Sequence, residues 1–226
     1  MAYPDIVPRP TWQAARDELL EAEKELTRAH DALNARRRRL PMTGITRDYV
    51  FASTTRSDLR LVDLFEGRDQ LIVYHNMLTE SHICPSCSFV SDNLMNDFSH
   101  LHARDTNFVM VARASVARIE AVKARLGWTF PWVSCEGTTF HEDFVTAQDN
   151  AAFGLSVFMR QGPRVFQTWF TSGRGVEQAS NTFNLLDLTP WGRQESWELS
   201  PPGWPQDPTY SWQRLHDEYP APSATP

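Results

Sequence analysis

Trp12, Leu19, Leu26 and Leu33 recur every seven residues, and Ala15, Ala22 and Ala29 each follow one of the first three by three positions. This is a single apolar stripe at heptad spacing, with large residues alternating with small ones. Residues 11–39 contain no glycine or proline and are dominated by Ala, Leu, Glu, Lys and Arg, all strong helix formers. The pattern predicts one long helix, capped at its start by Thr11 and broken by Pro41. Its stripe fits two partners: the helix's own domain, or the same helix of a second chain in a homodimer. Arg36 to Arg39 complement the negative end of the helix dipole.

Beyond Pro41 the apolar period shortens. Tyr49-Val50-Phe51 and Leu59-Arg60-Leu61 read as short strands, and residues 62–67 as a turn of helix ending at Gly67. Leu71-Ile72-Val73-Tyr74 and Phe108-Val109-Met110-Val111-Ala112 are short apolar runs rich in strand formers, as buried strands require. Between them, Phe89, Val90, Leu94, Phe98 and Leu101 predict a helix over 88–103. A second helix is predicted over 116–126, closed by Gly127. Strand–helix–strand–helix alternation implies parallel pairing with right-handed crossovers. Residues 155–158 and 165–169 flank Gly162-Pro163 and read as a hairpin, and a last helix is expected around 175–186. From Trp191 onward the chain is rich in Pro, Trp and polar residues. It is expected to lie irregularly over the surface, with its final residues disordered. The expected organisation is an arm and long helix (1–40), an α/β domain (41–190) and a Pro/Trp-rich tail (191–226).

Composition narrows the function. A chain of 226 residues buries one substantial core and leaves length for an appendage. A net charge of -6 provides no broad cationic surface, so neither nucleic acid nor an anionic membrane is an expected partner. No apolar run approaches the roughly 20 residues that span a bilayer. The first twenty residues lack a basic start followed by an apolar core, so no secretory signal is read and the expected location is cytoplasmic. Three cysteines are too few, and odd in number, for a disulfide framework. In a reducing compartment a close pair is more often catalytic or metal-binding than structural.

That pair is Cys84-Pro85-Ser86-Cys87, where a buried strand and loop give way to a helix. Cys84 is expected at the N-cap, Pro85 at the first helical position, where its missing N–H costs nothing, and Cys87 in the first turn. Free N–H groups and the helix dipole favour an anion there, so Cys84 is the candidate nucleophile and Cys87 the resolving thiol. The expected activity is thiol–disulfide exchange on a protein or small-molecule disulfide, with no cofactor. The alternative is a copper or zinc site using Cys84 and Cys87 with His75, His82 or His141. Supporting candidates are Ser81, three residues before Cys84, Cys135 as a third thiol, Trp132 as a pocket wall, and Glu142 or Asp143 as proton acceptors for Cys87.

Residues 59–68, the apolar strand and the Cys loop resemble the entry to a thioredoxin or peroxiredoxin fold. More closely, the chain from about Trp12 to Gly192 resembles the bacterial family DUF899, thioredoxin-like proteins. The matching stretches include Asp48-Tyr49-Val50-Phe51, Leu71-Ile72-Val73-Tyr74-His75, Cys84-Pro85-Ser86-Cys87-Ser88-Phe89, Gly127-Trp128-Thr129-Phe130-Pro131-Trp132-Val133-Ser134 and Leu186-Asp187-Leu188-Thr189-Pro190. The resemblance implies a thioredoxin-like α/β fold, with a central mixed sheet flanked by helices, and supplies no substrate. Two departures stand out. Ala151-Ala152-Phe153-Gly154-Leu155 lacks the proline that thioredoxin-like folds usually set opposite the dithiol. Met77 stands where a peroxiredoxin carries the proline ahead of its reactive cysteine.

Overall fold

The computed structural model describes residues 3–95, 97–147 and 151–220. Helix α1 (Arg9–Arg37) starts two residues earlier than Thr11 suggested, after the extended Pro8. Pro10 lies in its first turn, where the missing N–H leaves no bond unmade. None of its residues is buried. Trp12, Leu19, Leu26 and Leu33 all face solvent, Leu26 at 72% exposure. Near its end, the Arg37 guanidinium stacks over the Trp169 ring at 5.4 Å.

After α1 come β1 (Thr43–Gly44), β2 (Val50–Phe51), β3 (Leu59–Arg60) and β4 (Gln70–His75). Next are α2 (Pro85–Asp92), α3 (Ser99–His102), β5 (Thr106–Ala112), α4 (Val116–Leu126) and β6 (Trp132–Ser134). The chain then forms the hairpin β7 (Gly154–Gln161) and β8 (Arg164–Thr171), a 3-10 turn (Gly173–Ala179) and α5 (Asn181–Leu186). The main sheet runs β1-β8-β7-β4-β5-β6, and β2 and β3 form a separate hairpin. Strands β4, β5 and β6 are parallel, while β7 is antiparallel to β4 and β8 to β7. The β8-β7-β4-β5 order with these directions is thioredoxin-like, with β1 and β6 added at the edges. Among the described residues, no helix is long and apolar enough to cross a membrane.

Two stretches predicted as continuous helices are interrupted, and side chains that compete for backbone groups explain both. α2 stops at Asp92 because Asn93 turns back: its Nδ2 donates to the Phe89 carbonyl at 2.7 Å. The chain restarts only at α3, where Asp97 accepts the Ser99 N–H at 2.7 Å. In the second stretch Ser180 is extended (φ -116°, ψ 100°) and separates the 3-10 turn from α5. Asn93 reaches across to this junction as well, its Oδ1 accepting the Thr182 N–H at 2.7 Å.

Strand alternation assigns each side chain to one of two cores. Tyr74, Phe108, Met110, Ala112 and Trp132 join α2 and α4 on one face. Leu71, Val73, Val109, Val111 and Val133 join Phe51, Phe140, Phe144 and Phe158 on the other. The dithiol belongs to the first face and His75, by parity with Tyr74, to the second.

The segment after Trp191 is irregular yet pinned in place. Arg193, 8% exposed, makes a bidentate pair with Asp187 at 2.7 and 2.8 Å and reaches Glu177 at 2.7 Å. Glu195 is fully buried and accepts from Trp197 Nε1 (2.6 Å), Trp212 Nε1 (2.8 Å) and the Tyr210 N–H (2.9 Å). Trp212 then meets Phe89 edge-on at 5.4 Å, and Leu215 enters the core beside α2. Residues 221–226, where disorder was expected, lie outside the described residues.

Candidate dithiol site

The strand β4 ends at His75, and the loop to α2 delivers Cys84 to the helix N-cap in an extended conformation (φ -77°, ψ 122°). Pro85 takes the first helical position, its fixed φ pre-set for the turn. The Cys87 N–H therefore points back at Cys84 and donates to its sulfur at 3.4 Å. This bond replaces the hydroxyl or carboxylate cap that a helix usually recruits, and it places a sulfur where negative charge is favoured.

The two thiols are driven apart in acidity. Cys84 is lowered to about 6, chiefly by the hydrogen bond that the Cys87 thiol donates, with help from the Cys87 and Ser86 N–H groups and the His82 ring, against the effect of burial. Cys87 is pushed up, first by that same bond, which its proton supplies, and then by burial. The pair therefore shares one proton, held by Cys87. Cys84 keeps 8% of its surface exposed and Cys87 only 2%, so the outer sulfur is the one a reagent meets first. The Tyr74 hydroxyl lies against Cys87 and is itself pushed up by burial. A buried phenol of this kind stays protonated and can donate to a thiolate formed at Cys87. The arrangement suits general thiol redox chemistry.

The other predicted residues divide sharply. His82 is exposed on the loop and contributes to the Cys84 environment. Ser81 is exposed beside it. Trp132 is a core residue, 5% exposed, packed against Trp128 and Phe130 at 5.9 and 6.0 Å and not a wall of the cavity beside Cys87. Cys135 is buried in the opposite core, and burial raises it to about 12, so it is an inert thiol and not a third reactive one. Asp143 is committed elsewhere: it accepts from Tyr49 Oη and Arg47 Nη1, each at 2.7 Å. Glu142 pairs with Arg113 at 3.6 Å. Neither serves Cys87.

Of the histidines considered for a copper or zinc site, His75 and His141 are separated from the sulfurs by the same parity. His75 stacks on Phe140 at 5.3 Å beneath the sheet, its Nε2 bonded to Ser156 Oγ at 2.8 Å. His141 stands edge-on to it at 6.1 Å. Burial lowers both, His75 to about 3, so they remain neutral packing groups. Both lie with Phe140 on the face opposite the core that holds the sulfurs. Among the described residues, no three of His, Cys, Asp and Glu come together in a way that could hold a metal ion.

Sequence reasoning missed Tyr74, Phe153 and the pinned tail. The Tyr74 signal was available, because strand alternation aims it at the dithiol face. Phe153 occupies the stretch where the proline is missing and packs into the core that holds both cysteines. Among the described residues there is no cis peptide bond.

Comparison with known proteins places the chain. No curated protein matches it. Among solved structures, an uncharacterized conserved protein from Geobacillus kaustophilus is 16% identical with a TM-score of 0.38, over 54% of this chain and 65% of the other. This chain thus spans slightly less than two thirds of that protein's length. BsSco, a member of the Sco family of cytochrome c oxidase assembly proteins in which a disulfide switch was identified, is 13% identical with a TM-score of 0.36, over 62% of this chain and 96% of that one. The model of the family described as "Bacterial protein of unknown function (DUF899)" matches residues 1–219. Matched over nearly its whole length, the chain belongs to the DUF899 family.

Proposed function

We propose that this protein is a thiol–disulfide oxidoreductase that uses Cys84 as nucleophile and Cys87 as resolving thiol. The observation that carries this reading is the Cys84 sulfur at the N-cap of α2, accepting the Cys87 N–H at 3.4 Å. The Cys84 thiolate attacks a substrate disulfide R–S–S–R′, forming a Cys84–S–S–R bond and releasing R′S⁻. Cys87 then loses its proton to the departing thiolate and attacks the Cys84 sulfur. That step releases RS⁻ and leaves a Cys84–Cys87 disulfide. Two protein thiols are oxidised and one substrate disulfide is reduced; an external dithiol restores the protein. Because both thiols sit in one turn, the second step is intramolecular and outcompetes reversal by free thiol. The location we propose is cytoplasmic, a reducing compartment in which the dithiol would be returned to its thiol form between turnovers. The test is incubation of reduced protein with bis(2-hydroxyethyl) disulfide: one equivalent is reduced and the protein becomes two hydrogens lighter by mass spectrometry. An unchanged protein mass would refute the reading.

The same proposal includes a homodimer through α1. In this 29-residue helix of about 43 Å no residue is buried; Arg37 near its end meets Trp169, while Trp12, Leu19, Leu26 and Leu33 of the apolar face stay exposed among the described residues. Its charges are segregated: residues 17–25 hold five carboxylates and one lysine, and residues 28–39 hold five arginines and one aspartate. An antiparallel second copy sets the acidic half against the basic half and lets each leucine pack on an alanine. Light scattering is expected to give a dimer for the wild type and a monomer for Leu19→Glu combined with Leu26→Glu. A monomeric wild type would contradict it.

A further inference from the structure

Beside Cys87 a cavity of about 250 Å³ opens toward solvent. Tyr74, Cys87, Phe89, Phe153, Val176 and Phe183 contribute to its wall, and the surface it exposes is almost wholly apolar although Arg174 and Glu177 also border it. Its far side is supplied by the 3-10 turn, α5 and the pinned tail, so the segment that follows the core sheet is what makes the cavity. Three polar atoms in that wall lack a hydrogen-bond partner among the described residues, and one of them, Tyr74 Oη, lies against Cys87. The other two, Ser180 Oγ and Gln213 Oε1, are buried, and their residues are 0% and 4% exposed. Buried polar atoms are normally paired, because leaving one unmade costs about 1–3 kcal/mol.

We propose that this cavity binds the apolar substituent of the disulfide substrate, a ring-sized group carrying a hydroxyl. The proposal rests on the oxidoreductase reading of the same site and adds the substrate class to it. The volume fits one aromatic ring with its linking carbon, given that an apolar cavity of about 150 Å³ holds benzene. Aromatic side chains from strand, helix and tail offer edge and face contacts to such a ring. A hydroxyl can both accept from Ser180 and donate to Gln213, whereas Arg174, Glu177 and Tyr210 of the same wall are already bonded to one another. With the ring seated, the ring-bearing sulfur lies at the Cys87 end of the cavity, one helical turn from Cys84. The reaction balances as dithiol plus Ar–CH₂–S–S–R′ giving the Cys84–Cys87 disulfide, Ar–CH₂–SH and R′–SH.

Two readouts separate this proposal from the one beneath it. Calorimetric titration with 4-methylphenol, which involves no redox step, is expected to show one site on the wild-type protein. Binding is lost in Val176→Trp, which fills the cavity. In Ser180→Ala, which adds no bulk and threatens no fold, it weakens by about fivefold. In turnover, 4-hydroxybenzyl 2-hydroxyethyl disulfide is expected to exceed bis(2-hydroxyethyl) disulfide in kcat/KM by about tenfold or more, and Ser180→Ala narrows that ratio. Absence of 4-methylphenol binding overturns the cavity's assignment whatever the redox result. Binding without any turnover preference overturns its role as a substrate subsite. Binding of 4-methylphenol with turnover of neither disulfide overturns the oxidoreductase reading and the disulfide class, while the ring-and-hydroxyl chemistry of the cavity stands.

Discussion

Replacing Cys84 with serine reduces disulfide turnover to background, and replacing Cys87 with serine leaves a mixed disulfide that accumulates on Cys84. The two outcomes differ because the sulfurs have different tasks. Serine at the N-cap still accepts the N–H of residue 87 and caps α2 well, so Cys84→Ser folds; it lacks only the thiolate. In Cys87→Ser the outer thiolate forms, attacks and then waits, since a hydroxyl in that turn cannot displace a thiol. The serine hydroxyl at position 87 can still donate to the Cys84 thiolate, so it is Cys87→Ala, which removes the donor, that moves the alkylation midpoint of Cys84 upward. Mass spectrometry of each variant after exposure to a small disulfide reads both results. A Cys84→Ser protein that still turns over substrate would remove Cys84 from the role assigned to it.

Replacing Glu195 with alanine is expected to be the most damaging change outside the sheet. One carboxylate with no exposed surface accepts from two indoles and a backbone N–H drawn from residues 197, 212 and 210. Alanine strands all three donors, each bonded to a charged group, at a cost of about 3 kcal/mol or more. For a chain of this size that is a fall of about 10 °C in Tm. Limited proteolysis should then cut within 191–219, and 4-methylphenol should bind less well, because Tyr210 and Gln213 form part of the cavity. Glu195→Gln keeps one acceptor oxygen and recovers part of the loss. An alanine variant with unchanged Tm and unchanged proteolysis would show that the tail is held by other contacts.

Much of this molecule could be read along the chain, and the limits have physical causes. The dithiol was legible because its determinants are local: a β-rich apolar run, a cysteine, a proline suited to the first helical position, and a second cysteine one turn on. The β4 and β5 pairing and the β7–β8 hairpin were legible for the same reason. The helix break after Asp92 was missed because apolar spacing at Leu94, Phe98 and Leu101 outvoted Asn93 and Asp97, whose side chains bond the backbone and end one helix before another starts. The error over His75 came from counting distance along the chain. It lies nine residues before Cys84, yet strand parity sends it to the opposite face of the sheet from Tyr74. The irregular course of the tail was legible but its anchoring was not, since Glu195 acquires its meaning only when Trp197, Tyr210 and Trp212 converge on it from separate turns. For α1 the heptad stripe alone was silent on its partner. An apolar face looks the same in sequence whether it meets its own domain or another copy.

The most direct test is the rate of alkylation of Cys84 by iodoacetamide as a function of pH, followed by peptide mapping to separate it from Cys87 and Cys135. The thiolate is the reactive form, so the rate rises with pH and levels off once Cys84 is fully ionised. A midpoint near pH 6, with Cys87 unmodified throughout that range, is the predicted result. A midpoint at the ordinary thiol value of about 8.5, or modification of Cys87 before Cys84, would contradict it.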